Sequence, residues 1–213
     1  MRKQLIITLA LLTIATSATA RPVSYAGGWT LIEETDSQST SALIHYTPDA
    51  SYSLGLRLDW DRADNFLFVG PQATWLAKRW MSADHQANFY FWGAVGSVQG
   101  VGSNPADATP GAQIGLMSDW ETRRLYASYR ATLRDYGDLD RSAMQAARLG
   151  FAPYAGDTGD LHTWIMVEVD HRPDAVTPLG VTPLLRFFYG PVLFESGWNV
   201  TTDTPLLNLQ YRF

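Results

Sequence analysis

The strongest constraint on the fold is an alternation of apolar and polar side chains with a period of two. Residues 54–61 show it most clearly, reading Leu-Gly-Leu-Arg-Leu-Asp-Trp-Asp, and it recurs over 124–134, 162–170 and 207–213. A period of two is typical of β-strands that present one apolar face and one polar face. The sequence therefore predicts an all-β fold in which the strands form a single antiparallel sheet.

The alternation divides the chain into twelve segments, each near the ~9–11 residues that a tilted membrane strand needs. Glycine, proline, aspartate and asparagine fall between them, as expected for turns. A count of ten stays open if one hairpin is misread, and Gly70-Pro71 is the weakest point because proline cannot donate to a strand ladder. The predicted strands lie near 25–35, 40–48, 52–62, 65–79, 86–98, 110–120, 123–135, 141–153, 161–171, 181–188, 192–199 and 205–213.

Composition excludes several classes of function. The chain has no cysteine, which rules out a disulfide scaffold, a cysteine-ligated zinc site and thiol catalysis. Its net charge of -5 argues against nucleic-acid binding, which needs a basic face. His162, Glu168 and Asp170 share a strand face, but the outer two lie ~20 Å or more apart along a strand. We therefore expect neither a metal site nor a cofactor.

The N-terminal residues have the layout of a secretory signal peptide. A positive start, Met1-Arg2-Lys3-Gln4, precedes an apolar stretch of 12 residues from Leu5 to Thr16, and Ala18-Thr19-Ala20 supplies an A-x-A cleavage pattern. The stretch is short for a membrane-spanning helix, although an uncleaved anchor is the alternative. The prediction is a cleaved signal peptide over 1–20 and one exported domain over 21–213.

Two further patterns distinguish a membrane barrel from a soluble β-sandwich, whose strands alternate in the same way. Charged residues stand at mid-strand on the polar face, where a soluble strand has no need to gather them. Aromatic residues stand near strand ends on the apolar face, as in the girdles of outer-membrane barrels. A soluble periplasmic β-sandwich or lipocalin-like binder remains an alternative. The predicted girdle consists of Trp29, Trp60, Trp75, Trp120 and Trp198.

The last strand carries a family resemblance. Residues 207–213 read Leu-Asn-Leu-Gln-Tyr-Arg-Phe, which resembles the C-terminal signature of outer-membrane β-barrel proteins from Gram-negative bacteria. The resemblance implies that Leu209, Tyr211 and Phe213 form the signal read by the barrel assembly machinery. It also implies an outer-membrane location, with membrane lipid and lipopolysaccharide as surroundings. The signature covers only this strand, and no particular subfamily matches the rest.

The charged face predicts what lines the lumen. Unpaired charges in a narrow lumen are costly unless water reaches them. In one interpretation the charges interlock and plug a structural barrel; in the other they line a narrow pore for small ions or solutes, and the pore is slightly favoured. The predicted lumen-lining residues are Arg57, Asp59, Arg124, Arg130, Arg134, Arg148, Glu168, Asp170, Arg186, Glu195 and Arg212.

An enzymatic alternative comes from four residues. Asp59 and Asp61 share a strand face, and Asp170 adjoins His171, a set similar to that of the omptin family of outer-membrane proteases. Two carboxylates and an imidazole can activate water. The pattern departs from that family because Asp170 and His171 are adjacent and face opposite sides of a regular strand, and the chain is short. A rim hydrolase of lipid or peptide is the second choice, and a non-enzymatic channel is preferred.

Overall fold

A computed structural model describes residues 22–213, and these form twelve β-strands. The predicted signal peptide lies outside the described residues, so it stays a prediction. Within 22–213, no helix is long and apolar enough to cross a membrane. The strands are β1 Trp29–Thr35, β2 Ser39–Asp49, β3 Tyr52–Asp61, β4 Phe66–Met81, β5 His85–Gly100, β6 Thr109–Thr122, β7 Leu125–Asp135, β8 Arg141–Phe151, β9 His162–His171, β10 Leu179–Tyr189, β11 Val192–Asn199 and β12 Thr204–Arg212.

The strands close into one antiparallel barrel. Each strand pairs with its neighbours in sequence, and β1 pairs with β12 to complete the ring. The all-β barrel and the count of twelve are confirmed. The largest error is at β1, which begins at Trp29 and not near residue 25, because Gly27 turns the chain with a φ of 86°.

The barrel has two ends, which we name by what they carry. The termini end holds Pro22 and Phe213 together with the turns 50–51, 82–84, 123–124, 152–161 and 190–191. The far end holds the turns 36–38, 62–65, 101–108, 136–140, 172–178 and 200–203. Every strand runs from one end to the other, since the barrel is antiparallel throughout.

The barrel is polar inside and apolar outside. On β3, Leu54, Leu56 and Leu58 are 50%, 52% and 40% exposed, whereas Ser53 and Asp59 are buried. The same alternation runs round the ring, so large apolar side chains cover the outer surface. Such a surface is unfavourable in water and fits the hydrocarbon of a bilayer. This is the inverted polarity that the sequence pattern predicted.

Strand β4 continues through Gly70-Pro71, the weakest point of the prediction. The β4–β5 register passes from Val69–Ser97 directly to Gln72–Ala94, so the ladder is interrupted where proline has no N–H. The two strands also come very close here. A Cβ on Gly70 would lie 2.2 Å from the carbonyl oxygen of Val95, so glycine is required at this position.

One side of the lumen is filled by an apolar plug, which we define as Phe66, Phe68, Ala94, Val98 and Tyr136. Tyr136 begins the turn at the far end and points inward. Its ring stacks on Phe68 at 5.1 Å and meets Phe66 edge-on at 5.5 Å between centroids. These residues come from β4, β5 and the 136–140 turn. The far end of the lumen is therefore dry beside β4 and β5.

Candidate functional site: the charged lumen

The lumen beside β8–β12 holds a buried ionic cluster, defined as Arg148, Glu168, Arg186, Glu195 and Asn208. Glu195 is 2% exposed and accepts hydrogen bonds from Arg148 at 2.8 Å, Arg186 at 2.5 Å and Asn208 at 2.6 Å. Arg148 also donates to Glu168 at 2.6 Å. The two carboxylates and two guanidiniums therefore neutralise one another.

The residue types of the cluster follow from its geometry. Each member stands at an inward position of its strand, and the planar guanidinium of Arg148 contacts two carboxylates at once. The guanidinium of Arg186 also lies 4.6 Å from the ring centroid of Tyr126, a cation–π contact. Trp164 packs edge-on against that ring at 6.2 Å. Lysine, with one compact charge, would not satisfy these contacts together.

Arg130 crosses the lumen. It projects from β7, and its guanidinium lies 3.3 Å from Glu34 on β1 and 3.6 Å from Glu168 on β9. Strands β7 and β1 are six strands apart in the ring, so this contact spans the barrel. A second ion pair crosses the lumen nearby: Arg134 on β7 lies 3.4 Å from Asp61 on β3. These bridges separate the apolar plug from the ionic cluster.

Two cavities lie along the charged side of the lumen. The larger, of about 110 Å³, has room for several waters and is lined by Pro22, Glu34, Tyr126 and the ionic cluster. The smaller, of about 10 Å³, lies nearer the far end beside Asp36. Arg130 and Glu168 line both cavities. These two side chains therefore form the constriction between them.

An N-terminal segment, residues 22–24, narrows the lumen at the termini end. Val23 is 1% exposed. The carbonyl of Pro22 accepts a hydrogen bond from Ser53 at 3.0 Å, and the amide of Ser24 donates to Thr47 at 3.3 Å. The segment is thus bound to β2 and β3 beneath the larger cavity.

A latch joins two turns at the far end. Arg172 in the 172–178 turn donates to Asp36 at 2.5 Å and to Gln38 at 2.6 Å, joining that turn to the 36–38 turn. Burial raises the pKa of Asp36, but the charge of Arg172 and the amides of Gln38 and Ser39 outweigh it, so the pKa lies below its ordinary value. Asp36 is therefore ionised at neutral pH.

The latch gives a pH-dependent prediction. Folding lowers the pKa of Asp36, so the ionised side chain stabilises the fold fully at any pH above the pKa of the unfolded chain, near 4. This stabilisation is lost as the pH falls through the lower pKa of the folded chain. We expect Asp36→Asn to cost about 1–2 kcal/mol of the free energy of unfolding at pH 7. The difference from wild type should shrink below pH 4 in urea titrations. A difference that does not change between pH 7 and pH 3 would contradict this assignment.

The structure places most of the predicted lumen residues on inward strand positions. Arg124 is a correction: β7 begins at Leu125, so Arg124 lies in a turn and its guanidinium donates to the carbonyls of Ala152 and Pro153 at 2.6 Å and 3.2 Å. It holds the rim at the termini end and does not line the lumen. The inward residues are Arg57, Asp59, Arg130, Arg134, Arg148, Glu168, Asp170, Arg186, Glu195 and Arg212.

The four residues of the hydrolase alternative do not face one site. Asp59 and Asp170 both lie inside the barrel. Asp59 accepts a hydrogen bond from Arg57 at 2.7 Å, and Asp170 lies 3.8 Å from Arg172. His171 points outward, where it pairs with Gln145 at 3.1 Å. His171 therefore does not accompany the Asp59 and Asp61 carboxylates.

The predicted girdle and C-terminal residues all lie on the outer surface. Trp29, Trp75 and Trp120 stand toward the termini end, and Trp60 and Trp198 toward the far end. Leu209 and Tyr211 face outward on β12, and Phe213 pairs with Trp29 through two backbone hydrogen bonds. The role of these C-terminal residues in assembly stays a prediction.

Sequence reasoning missed the residues that narrow the lumen. Asp36, Tyr136 and Arg172 stand in turns, and Val23 precedes the first strand, so no strand alternation marks them. Gln113 donates to Asp59 at 2.7 Å across the lumen. Alternation places it inward, but the predicted lumen residues were all charged and Gln113 is not.

The architecture defines a fold class, the closed antiparallel β-barrel of twelve strands, and solved porins share this fold. A KdgM porin solved in complex with disordered oligogalacturonate superimposes with a TM-score of 0.50 at 9% sequence identity, over 87% of this chain and 98% of that chain. Another KdgM porin structure gives a TM-score of 0.49 at 10% identity, with the same coverage. No family model and no curated protein matches the chain.

Proposed function

We propose that this protein is an integral outer-membrane barrel and a narrow channel for small ions or solutes, exported through its predicted signal peptide. The observation that best supports a channel is the pair of cavities on the charged side of the lumen, separated by Arg130 and Glu168. The apolar outer surface supports the membrane location, and the porin-type fold agrees with it.

The proposed path is off-centre. The apolar plug fills the lumen beside β4 and β5 and excludes water, so solutes pass beside β8–β12 and β1. The latch and the N-terminal segment narrow its two ends. In this state the channel conducts weakly, and charged side chains at the constriction set its ion selectivity.

Conductance across a planar bilayer tests the proposal. Arg130→Ala removes the side chain that spans the lumen and leaves Glu34 and Glu168, so we expect a larger conductance and a shift toward cations. Phe68→Leu in the apolar plug is the matched control and should leave both properties unchanged. Heat-modifiable gel mobility shows that each variant is a closed barrel.

Folded wild type and folded Arg130→Ala that both pass no current would overturn the channel. That outcome would favour the plugged structural barrel, in which the ionic cluster serves stability alone.

A further inference from the structure

The outer surface carries a first polar patch, defined as Glu33, Thr35, Thr40 and Arg62. Thr35 donates to Glu33 at 2.6 Å and lies 3.0 Å from the hydroxyl of Thr40, which also accepts from Arg62. Glu33 pairs directly with Leu209, an exposed outward residue, so its side chain stands on the outward face. A carboxylate therefore lies among apolar side chains on the surface that faces lipid.

A second polar patch, defined as Tyr129, Gln145 and His171, crosses β7–β9 on the same outward face. Tyr129 donates to Gln145 at 2.8 Å, and the Gln145 amide lies 3.1 Å from a ring nitrogen of His171. The outward neighbours on β7 and β8 are small. They are Ala127, Ala131, Ala143 and Ala147.

The two patches lie on opposite sides of the barrel and at the same end. The first patch is centred on β2 and the second on β8, and these two strands are six places apart in the ring. Thr35 is the last residue of β1 and His171 the last of β9, and both strands end at the far end. A neighbouring barrel in the same orientation would thus bring one patch against the other.

Their chemistry is complementary. The carboxylate of Glu33 offers hydrogen-bond acceptors, whereas Gln145 retains a free amide hydrogen and His171 a second ring nitrogen able to donate. Polar groups on a lipid-facing surface are unfavourable, and association in a bilayer is driven by polar contacts and by small residues that allow close approach. The alanines give the second patch that close approach, and the outward carboxylate on β7, Asp135, is already paired with Arg141 at 3.2 Å.

We propose that copies of this chain associate side by side in the membrane, the first patch of each copy against the second patch of the next. Because the two surfaces differ, the contact is heterologous and builds open rows instead of a symmetric pair. This inference rests on the membrane location proposed above. Lipid that covers both patches permanently is the competing outcome.

Disulfide cross-linking in lipid vesicles tests the arrangement, and the chain has no native cysteine. Ala42→Cys lies beside Glu33 in the β1–β2 register, and Ala143→Cys lies two residues from Gln145 on the same face. Mild oxidation of the double variant should give a ladder of dimers, trimers and higher species. A mixture of the two single variants should stop at dimers, and each single variant alone should stay monomeric.

Two controls define the result. Val95→Cys with Phe194→Cys places thiols on the opposite strands β5 and β11, outside both patches, and reports random collision. Glu33→Leu, added to the double variant, should reduce the ladder to that background. A ladder insensitive to Glu33→Leu, a dimer from one single variant alone, or no ladder above background would each overturn the proposal.

Heat-modifiable mobility on the same vesicles separates the two proposals. A folded, membrane-inserted barrel without cross-links overturns only the association. A chain that fails to enter the vesicles overturns the membrane location itself.

Discussion

Replacing Glu195 by alanine is expected to reduce the free energy of unfolding by about 3–5 kcal/mol, because it leaves two buried guanidiniums without their shared partner. Arg148 and Arg186 are 9% and 7% exposed, and both bind the Glu195 carboxylate. Glu168 still neutralises Arg148, but Arg186 has no second carboxylate among its hydrogen-bond partners in residues 22–213. Urea unfolding in lipid vesicles measures the loss.

The matched control is a second ion pair at the rim. Asp135 and Arg141 lie 3.2 Å apart, and their side chains are 67% and 70% exposed. Solvent screens such a pair, so Asp135→Ala should cost at most about 1 kcal/mol. If Glu195→Ala proves as mild as the control, the buried cluster does not hold the barrel together.

Tyr136→Ala is expected to cost about 3–5 kcal/mol of the free energy of unfolding, the range for deleting a buried aromatic ring. The ring is fully buried between Phe66 and Phe68, and its loss leaves a cavity in the apolar plug. Gly111 leaves room for the ring, because a Cβ at this position would lie 2.7 Å from Tyr136.

Tyr136→Phe separates the ring from its hydroxyl. The buried hydroxyl has no hydrogen-bond partner among residues 22–213, so its removal leaves no group unpaired. We expect this variant to be as stable as wild type or slightly more stable. A loss as large as that of Tyr136→Ala would show that the hydroxyl, and not ring packing, stabilises the plug.

The fold could be predicted because its periodicity is local. Each strand alternates within seven to sixteen residues, so the sequence marks both the strand and its apolar and polar faces. For residues 54–61, the sequence alone shows which side chains share a face of the strand. The continuation of β4 through Gly70-Pro71 was harder to predict, because the close approach of Gly70 to Gly96 depends on the pairing of β4 with β5.

The partners inside the lumen could not be predicted in the same way. Alternation shows that Arg130 and Glu34 point inward, but their contact joins strands six places apart in the ring and depends on barrel closure and register. Turn residues such as Arg172 follow no strand period at all. Local sequence thus predicts which side chains enter the lumen, and the three-dimensional fold decides which of them meet.

The exposure of a nitroxide label at Leu56→Cys, measured in lipid vesicles, tests most directly whether the apolar surface of the barrel faces hydrocarbon. Leu56 is outward at mid-strand, and Val176 in the 172–178 turn is a fully exposed reference. We predict frequent collision of the Leu56 label with oxygen and little with a water-soluble nickel chelate, and the reverse at Val176. A Leu56 label that meets the chelate as often as the Val176 label, or that is shielded from both reagents, would contradict the inverted barrel.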